Sequence, residues 1–459
     1  MKVALIASEA VPFAKTGGLA DVAGALPRYF HSLGIEVALY LPKYHGIVAD
    51  PAGDFELSLP GKTVKVGLYR RDNAFFIDYP EYFDRPGLYG TPVGDYPDNL
   101  DRFNLFNRAV VKMLLRDKVD IAHCHDWQSG LVPAFLKQEG SPVKTVFTIH
   151  NLGYQGRFPG SEFPKLGLNK EYFDPEGLEF YGDVNLLKSG IVYSDKVTTV
   201  SENYAREIQT AELGFGLEGI LHHRRSDLHG IINGLDYDLW DPAKDSAIYR
   251  PYRDYPGKLF NRLELLRECN IDRDKPLIGM VSRVAGQKGF DIFTEVFDEV
   301  IRMGFCFILL GYGEEPYHVR LKEYESIYAT QVSINLKFDD RLARRIYAGS
   351  DFFLMPSRYE PCGLGQLISL KYGSIPVVRK TGGLADTVHE YDPLTGEGNG
   401  FCFEEYSGRA LLESLSRARE IYRRPDWLQP LVDNCLRCDY SWTRSAIKYR
   451  DLFLKLLNK

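Results

Sequence analysis

Short apolar runs alternate with stretches of helical period through most of the chain. In the first half the strand-like runs are Val3–Ser8, Glu36–Pro42, Ile121–His125, Thr145–His150 and Lys196–Ser201. A second series follows at Leu277–Arg283, Phe305–Leu310, Val332–Phe338, Phe352–Ser357 and Ile375–Arg379. Helix-period stretches such as Asp291–Met303 and Leu342–Ala348 stand between them. Near-continuous apolar strands separated by helices predict parallel sheets covered on both faces. The stretch "NGLDYDLWDP" and the Tyr-, Pro- and Asp-rich residues up to Pro256 have neither period, so the boundary between two doubly wound α/β domains is placed there. Such domains bind ligands at the carboxyl ends of their strands, and two of them are expected to face each other across a cleft.

Composition changes this picture little. A chain of 459 residues exceeds one ordinary domain. A formal net charge of −6 offers no basic field for nucleic acid or a membrane surface. The opening "MKVALIASEA" breaks at Glu9 and reads as a first strand, not a signal peptide. No stretch reaches the ~20 apolar residues of a membrane span. Seven scattered cysteines point to a reducing compartment, hence a cytoplasmic protein. Cys435 and Cys438 form a lone CxxC, which reads as core packing because no βαβ redox context surrounds it.

Candidate chemistry gathers at the predicted strand ends. "KTGGLADV" at Lys15–Val22 and "KTGGLADT" at Lys380–Thr387 each join a strand to a helix through paired glycines. Free N–H groups at a helix start attract anions, and glycine lets a phosphate approach the backbone. A Gly-Gly pair can also merely make a tight turn, but two copies facing one cleft favour phosphate or sugar contact. "HCHDW" puts His123 and His125 on one face of a strand with Asp126 at its tip; a metal site there needs a third ligand. "FTIHN" places His150 at the next strand end, where its ring or its carbonyl is available. In "VSRVAGQKG" Arg283 and Lys288 are two cations suited to a diphosphate, or to surface ion pairs. "PSRYEPCGLGQ" sets Glu360 near a helix start, where it either caps the helix or binds a ligand. "GFGLEG" at Gly214–Gly219 matches a dinucleotide fingerprint, but no strand precedes it. A Walker A pattern is absent.

Taken in order, KTGGLADVAGALP, DNLDRF, HCHDW, FTIHNLGYQG, VSRVAGQKG, RIYAGSDFFLMPSRYEPCGLGQLISLKYG and VVRKTGGLADTV resemble the bacterial-type glycogen and starch synthases from one end of the chain to the other. The resemblance implies two Rossmann-like domains of the GT-B type. It implies an N-terminal acceptor and catalytic domain over 1–242 and a nucleotide-sugar domain over 243–438. A C-terminal helix over 439–459 then crosses back to the first domain. It implies retaining transfer of glucose from ADP-glucose to the non-reducing end of an α-1,4-glucan such as glycogen. Neither a cofactor nor a metal is implied.

Residue by residue, the family's catalytic and donor-site groups fall on Lys15, Asp126, His150, Arg283, Lys288, Glu360 and Cys362. Arg283 and Lys288 match the pair that holds the diphosphate. Gly17 and Gly18 belong to the first glycine motif, and Thr381, Gly382 and Gly383 match the phosphate-facing loop. Glu360 matches the carboxylate that orients the transferred glucose. Phe338 falls where an aromatic, often Tyr, stacks on adenine. Gly365, Gln128 and Gly153 are mild departures from the usual Thr, His and Ala. The twin motifs are expected to bracket the donor, one from each domain. Fixed cations then stabilise the departing diphosphate, and the His150 carbonyl is the candidate for stabilising the oxocarbenium-like sugar. UDP-glucose or another donor is the nearest alternative. A glucan phosphorylase lacks support, since no pyridoxal signature is present. A non-catalytic nucleotide-sugar or glucan-binding protein would not need the full charged constellation.

Overall fold

The structure, a computed structural model, describes residues 1–458. It divides into two compact units: Met1–Gly234 together with the C-terminal stretch from Trp442, and Leu235–Ser441. Each unit is built on a sheet whose central strands are parallel, as the strand–helix alternation predicts.

The first unit carries a nine-stranded sheet. In chain order its strands are β1 (Lys2–Ile6), β2 (Glu36–Pro42), β3 (Asp50–Leu59), β4 (Lys62–Arg71), β5 (Ala74–Asp78), β6 (Ile121–His125), β7 (Lys144–Ile149), β8 (Lys196–Thr199) and β9 (Leu228–Gly230). Their order across the sheet is β9-β8-β7-β6-β1-β2-β5-β4-β3. The strands from β9 to β5 pair in parallel. The β3–β4 ribbon and its junction with β5 are antiparallel, a departure from the all-parallel expectation. β3 is mostly exposed, so its pairing rests on backbone hydrogen bonds more than on apolar burial. The helix Gly18–Ser32 and the last helix, Trp442–Leu456, pack together over one face of this sheet. Trp442, Ala446, Tyr449 and Phe453 are buried there, with the ring of Phe453 5.6 Å from that of Phe30.

The second unit carries a six-stranded sheet. Its strands are β10 (Leu277–Val281), β11 (Cys306–Leu310), β12 (Val332–Asn335), β13 (Phe352–Met355), β14 (Ile375–Arg379) and β15 (Phe401–Phe403). They are ordered β12-β11-β10-β13-β14-β15 and pair in parallel throughout. The order reverses at β10 and β13, the position where doubly wound sheets open to ligands. Several strands end earlier than their apolar patterns suggest. Arg283, Phe338 and Ser357 therefore sit in the loops beyond β10, β12 and β13. The expected helix Asp291–Met303 is two short helices, Phe290–Glu295 and Phe297–Arg302, separated at Val296, whose φ is −113°. Among the described residues no helix is long and apolar enough to cross a membrane.

Candidate active site

In the second unit Lys288, Glu360 and Thr381 follow the carboxyl ends of β10, β13 and β14, while Arg283 and Phe338 meet at the carboxyl ends of β10, β11 and β12. A cavity of about 380 Å³ there is lined by Arg283, Gly311, Tyr312, Phe338 and Asp340, among others. Phe338 is 88% exposed, and its ring centroid stands 6.4 Å from that of Tyr312. An aromatic face left this open has no packing role, so it is available to a planar ligand. Asp339 fixes the chain just beyond it by accepting the Leu342 N–H at 2.9 Å at the start of the following helix. The Arg283 guanidinium donates to Gln287 Oε1 at 2.9 Å on the rim.

Lys288 and Glu360 are brought together although 72 residues apart. Lys288 Nζ donates to Glu360 Oε2 at 2.6 Å, and Ser357 Oγ donates to the same oxygen at 3.0 Å. Glu360 is only 7% exposed. The loops carrying this pair are also tied through the backbone, the Arg358 N–H donating to the Gln287 carbonyl at 2.9 Å. Asp291, one turn beyond Lys288, accepts from Arg358 Nη2 at 2.8 Å and from the Tyr406 hydroxyl. The Arg358 and Arg379 guanidinium groups stand 4.8 and 5.3 Å from the Tyr406 ring. Ser357, Asp291 and Tyr406 were invisible to sequence reasoning, because nothing local distinguishes a buttress from a surface residue.

The twin glycine motifs have different surroundings. Gly382 has φ +45°, and a Cβ on it would strike the Glu360 carbonyl; a Cβ on Gly383 would strike the Cys362 backbone. The Gly383 N–H donates to the carbonyls of Glu360 and Pro361 at 3.1 Å, and the Thr381 N–H to the Arg379 carbonyl at 2.9 Å. These glycines therefore allow two loops to touch, which corrects the expectation of free N–H groups there. Cys362 is buried in the same contact, its carbonyl accepting from Gln366 Nε2 at 2.9 Å. At the first motif a Cβ on Gly17 or Gly18 would meet no atom within 4 Å. The Thr16 and Gly17 N–H groups are nonetheless engaged by Glu9. That carboxylate accepts from the Thr16 N–H, from Thr16 Oγ1 at 2.9 Å and from the Gly17 N–H at 3.2 Å. Tyr89 also donates to Glu9, at 3.0 Å. Lys15 Nζ pairs with Asp21 at 2.7 Å and remains half exposed. The acid that interrupts the first apolar run was the available signal for Glu9.

The buried His123 and His125 on β6 and the partly buried His150 at the end of β7 form a column. The rings of His123 and His125 lie 4.2 Å apart, and His125 Nδ1 is 2.9 Å from His150 Nε2. His123 Nε2 meets Thr148 Oγ1 at 2.7 Å. Burial pushes His123 and His150 down to about 3, and burial with its histidine neighbours pushes His125 well below its ordinary value. The column is therefore neutral at physiological pH. His125 Nδ1 and His150 Nε2 bond to each other and His123 Nε2 to threonine, while the buried His123 Nδ1 and His125 Nε2 meet no hydrogen-bond partner among the described residues. Among the described residues no group of three or more His, Cys, Asp or Glu side chains is arranged to hold a metal ion. Asp126 has φ +55°, an uncommon conformation that turns its carboxylate towards the end of β7. Its Oδ1 accepts the His150 N–H at 2.8 Å. Burial pushes Asp126 up to about 7, against the pull of the His150 and Asn151 N–H groups. As expected, "GFGLEG" has no strand before it; it leads into the short helix Glu218–His223.

Comparison with known proteins agrees with this architecture. The family model "Starch synthase catalytic domain" matches residues 2–223, and "Glycosyl transferases group 1" matches residues 261–425. A glycogen synthase of Syntrophotalea carbinolica is 45% identical, covering 99% of this chain and 99% of its own length. Glycogen synthase 2 of Geobacter sulfurreducens is 44% identical, covering 99% of this chain and 98% of its own. The catalytic domain of starch synthase IV from Arabidopsis thaliana, solved bound to ADP and acarbose, is 33% identical with a TM-score of 0.89. That likeness covers 100% of this chain and 99% of the plant domain. A sucrose-phosphate synthase from Thermosynechococcus elongatus shares the fold, with a TM-score of 0.63 at 18% identity. With relatives this similar along its whole length, and with a Rossmann-like sheet in each unit as in GT-B glycosyltransferases, the chain belongs to the glycogen and starch synthase family of glycosyltransferases.

Proposed function

We propose that this chain transfers glucose from ADP-glucose to the non-reducing end of an α-1,4-glucan, with retention of anomeric configuration. The observation that carries the reading is the grouping on the second unit. An open aromatic face, a guanidinium and the buried Lys288–Glu360 pair stand at the ends of neighbouring strands. Donor binding is assigned to this unit and acceptor handling to the first. Phe338 presents its ring to adenine. Arg283 and Lys288 are directed at the diphosphate, where negative charge develops as the anomeric bond breaks. Cations already fixed in place stabilise that charge without reorganising. Glu360, held by Ser357 and Lys288, accepts hydrogen bonds from the glucose hydroxyls and opposes the positive charge growing on the sugar. Thr381, Gly382 and Gly383, with Cys362, shape the loop that presents Glu360.

On the first unit, Lys15 and the Gly18 end of the glycine turn, beyond the N–H groups that Glu9 engages, are assigned to the donor phosphates. The His150 carbonyl is assigned to the oxocarbenium-like sugar, and Asp126 positions that peptide through the His150 N–H. The reaction is assigned to the cytoplasm, where the seven free cysteines stay reduced. The test is incubation with glycogen and radiolabelled ADP-glucose, with UDP-glucose in parallel. Label should enter glycogen, with the higher kcat/KM for ADP-glucose. No incorporation from either donor would overturn the activity, and a preference for UDP-glucose would overturn the donor.

A further inference from the structure

The "GFGLEG" loop, which no step above uses, borders a cavity of about 470 Å³ in the first unit. Two aromatic–glycine turns from distant parts of the sequence meet beside it, Tyr181-Gly182 and Phe215-Gly216. All four residues have positive φ: +51° and +85° in the first turn, +50° and +83° in the second. Glycine adopts this region freely, but a residue with a side chain is strained there. Burial does not compensate for it, since Tyr181 is 82% exposed and Phe215 is 41% exposed. Strain kept to hold two rings at the surface points to something those rings bind.

The cavity is firmly built. Glu179 Oε1 accepts the Gly182 N–H at 2.6 Å and closes the Tyr181 turn. The buried Lys188 Nζ donates to the carbonyls of Pro175 and Glu179 at 2.6 and 2.5 Å. A Cβ on Gly216 would lie 2.9 Å from the Phe180 ring, so the two turns touch. Gln155 Nε2 donates to the Phe215 carbonyl at 3.0 Å. Gln155 belongs to the loop that follows His150, and its neighbour Tyr154 is also exposed. The Gln155 bond ties the loop after β7 to the Phe215 turn beside the cavity. Beside the rings stand Glu176 and His223. An open ring face next to a carboxylate and an imidazole matches a pyranose, which has an apolar C–H face and a rim of hydroxyls. The only lysine is committed to backbone carbonyls, so an anion is a poor fit.

We infer that this cavity is an additional glucan subsite, in which Tyr181 stacks on glucosyl units behind the reacting end of the acceptor chain. The inference rests on the reading that the protein elongates an α-1,4-glucan. Tyr181→Gly tests it without disturbing the turn, because glycine suits the φ of this position. Maltoheptaose is titrated by calorimetry against the full-length wild type, Tyr181→Gly and the ring-retaining Tyr181→Phe, and the three are assayed with ADP-glucose. Tyr181→Gly should bind maltoheptaose roughly tenfold more weakly, Tyr181→Phe should bind normally, and KM for ADP-glucose should stay within about twofold. Unchanged maltoheptaose affinity in a Tyr181→Gly protein that still transfers glucose would overturn the subsite and leave the activity standing. A wild type that transfers no glucose would overturn the activity, while a loss of maltoheptaose binding in Tyr181→Gly would still support the cavity.

Discussion

Glu360 and Lys288 hold each other at 2.6 Å, so replacing either alone leaves a charge poorly solvated. Glu360→Gln should destabilise the second unit by about 1–3 kcal/mol, because the ammonium loses its partner. Its kcat should fall by at least ~10²-fold with a smaller change in KM for ADP-glucose, the pattern of a contact made mainly in the transition state. Adding Lys288→Met should return the stability but not the kcat. Denaturant unfolding and initial rates on the two variants check this; near-normal kcat in Glu360→Gln would make the carboxylate structural. The histidine column and Asp126 give a second residue-scale prediction, with opposite signs. Histidines held near 3 in the fold titrate at about 6.5 when unfolded. Their stabilisation is complete above pH ~6.5 and is lost as pH falls towards 3. Asp126, raised to about 7, contributes stability below its unfolded value and loses it as pH rises through 7. Three histidines outweigh one carboxylate, so the unfolding midpoint should fall between pH 6.5 and 4.5. Asp126→Asn, which removes the opposing group, should make that fall steeper. Thermal melts across this range decide it.

At the scale of elements, two near-identical strand–glycine–helix junctions serve different ends. The second brings the Glu360 and Cys362 backbone against Gly382 and Gly383 with no room for a side chain. Gly382→Ala should therefore destabilise the second unit, by ~1–3 kcal/mol from the strained φ alone, and lower kcat by displacing Glu360. The first junction faces open space, and Gly17 has φ −148°, which any residue adopts. Gly17→Ala should leave the unfolding free energy within about 0.5 kcal/mol of wild type while raising KM for ADP-glucose. Equal destabilisation by both substitutions would show that the two turns do the same work. The pair is measured by thermal unfolding together with donor kinetics.

At the scale of the whole molecule, the chain ends by returning to the unit in which it began. The last helix buries Trp442, Tyr449 and Phe453 against the helix Gly18–Ser32, and its Tyr449 ring lies 5.2 Å from His123. Each fully buried side chain of this size stabilises by about 1.5–3 kcal/mol, so the helix is a large part of the first unit's core. Deleting the chain from Trp442 onwards should unfold or loosen the first unit and leave the second folded. Hydrogen exchange should then lose protection in β1, β6 and the helix Gly18–Ser32, with β10–β14 still protected. Uniform retention of protection would show that the helix is only an appendage.

The sequence by itself determined the alternation of the parallel strands with helices, the doubly wound class, the position of each motif at a strand end and the family. These are local matters: period-two and period-3.6 patterns, and short linear motifs. Its errors are instructive for the same reason. β3 and β4 lack a continuous apolar run because they bury only alternate residues such as Leu57, Val66 and Leu68, and Phe338 reads as part of a strand because an apolar ring looks the same in a sheet and in a binding loop. Only the tertiary structure decided that Glu9 occupies the first glycine turn. It alone joined Lys288 to Glu360, aligned three histidines into a neutral column and brought Tyr181 beside Phe215. Each of those contacts joins residues that local pattern does not connect, and their energies depend on burial and distance, which exist only once the chain has packed.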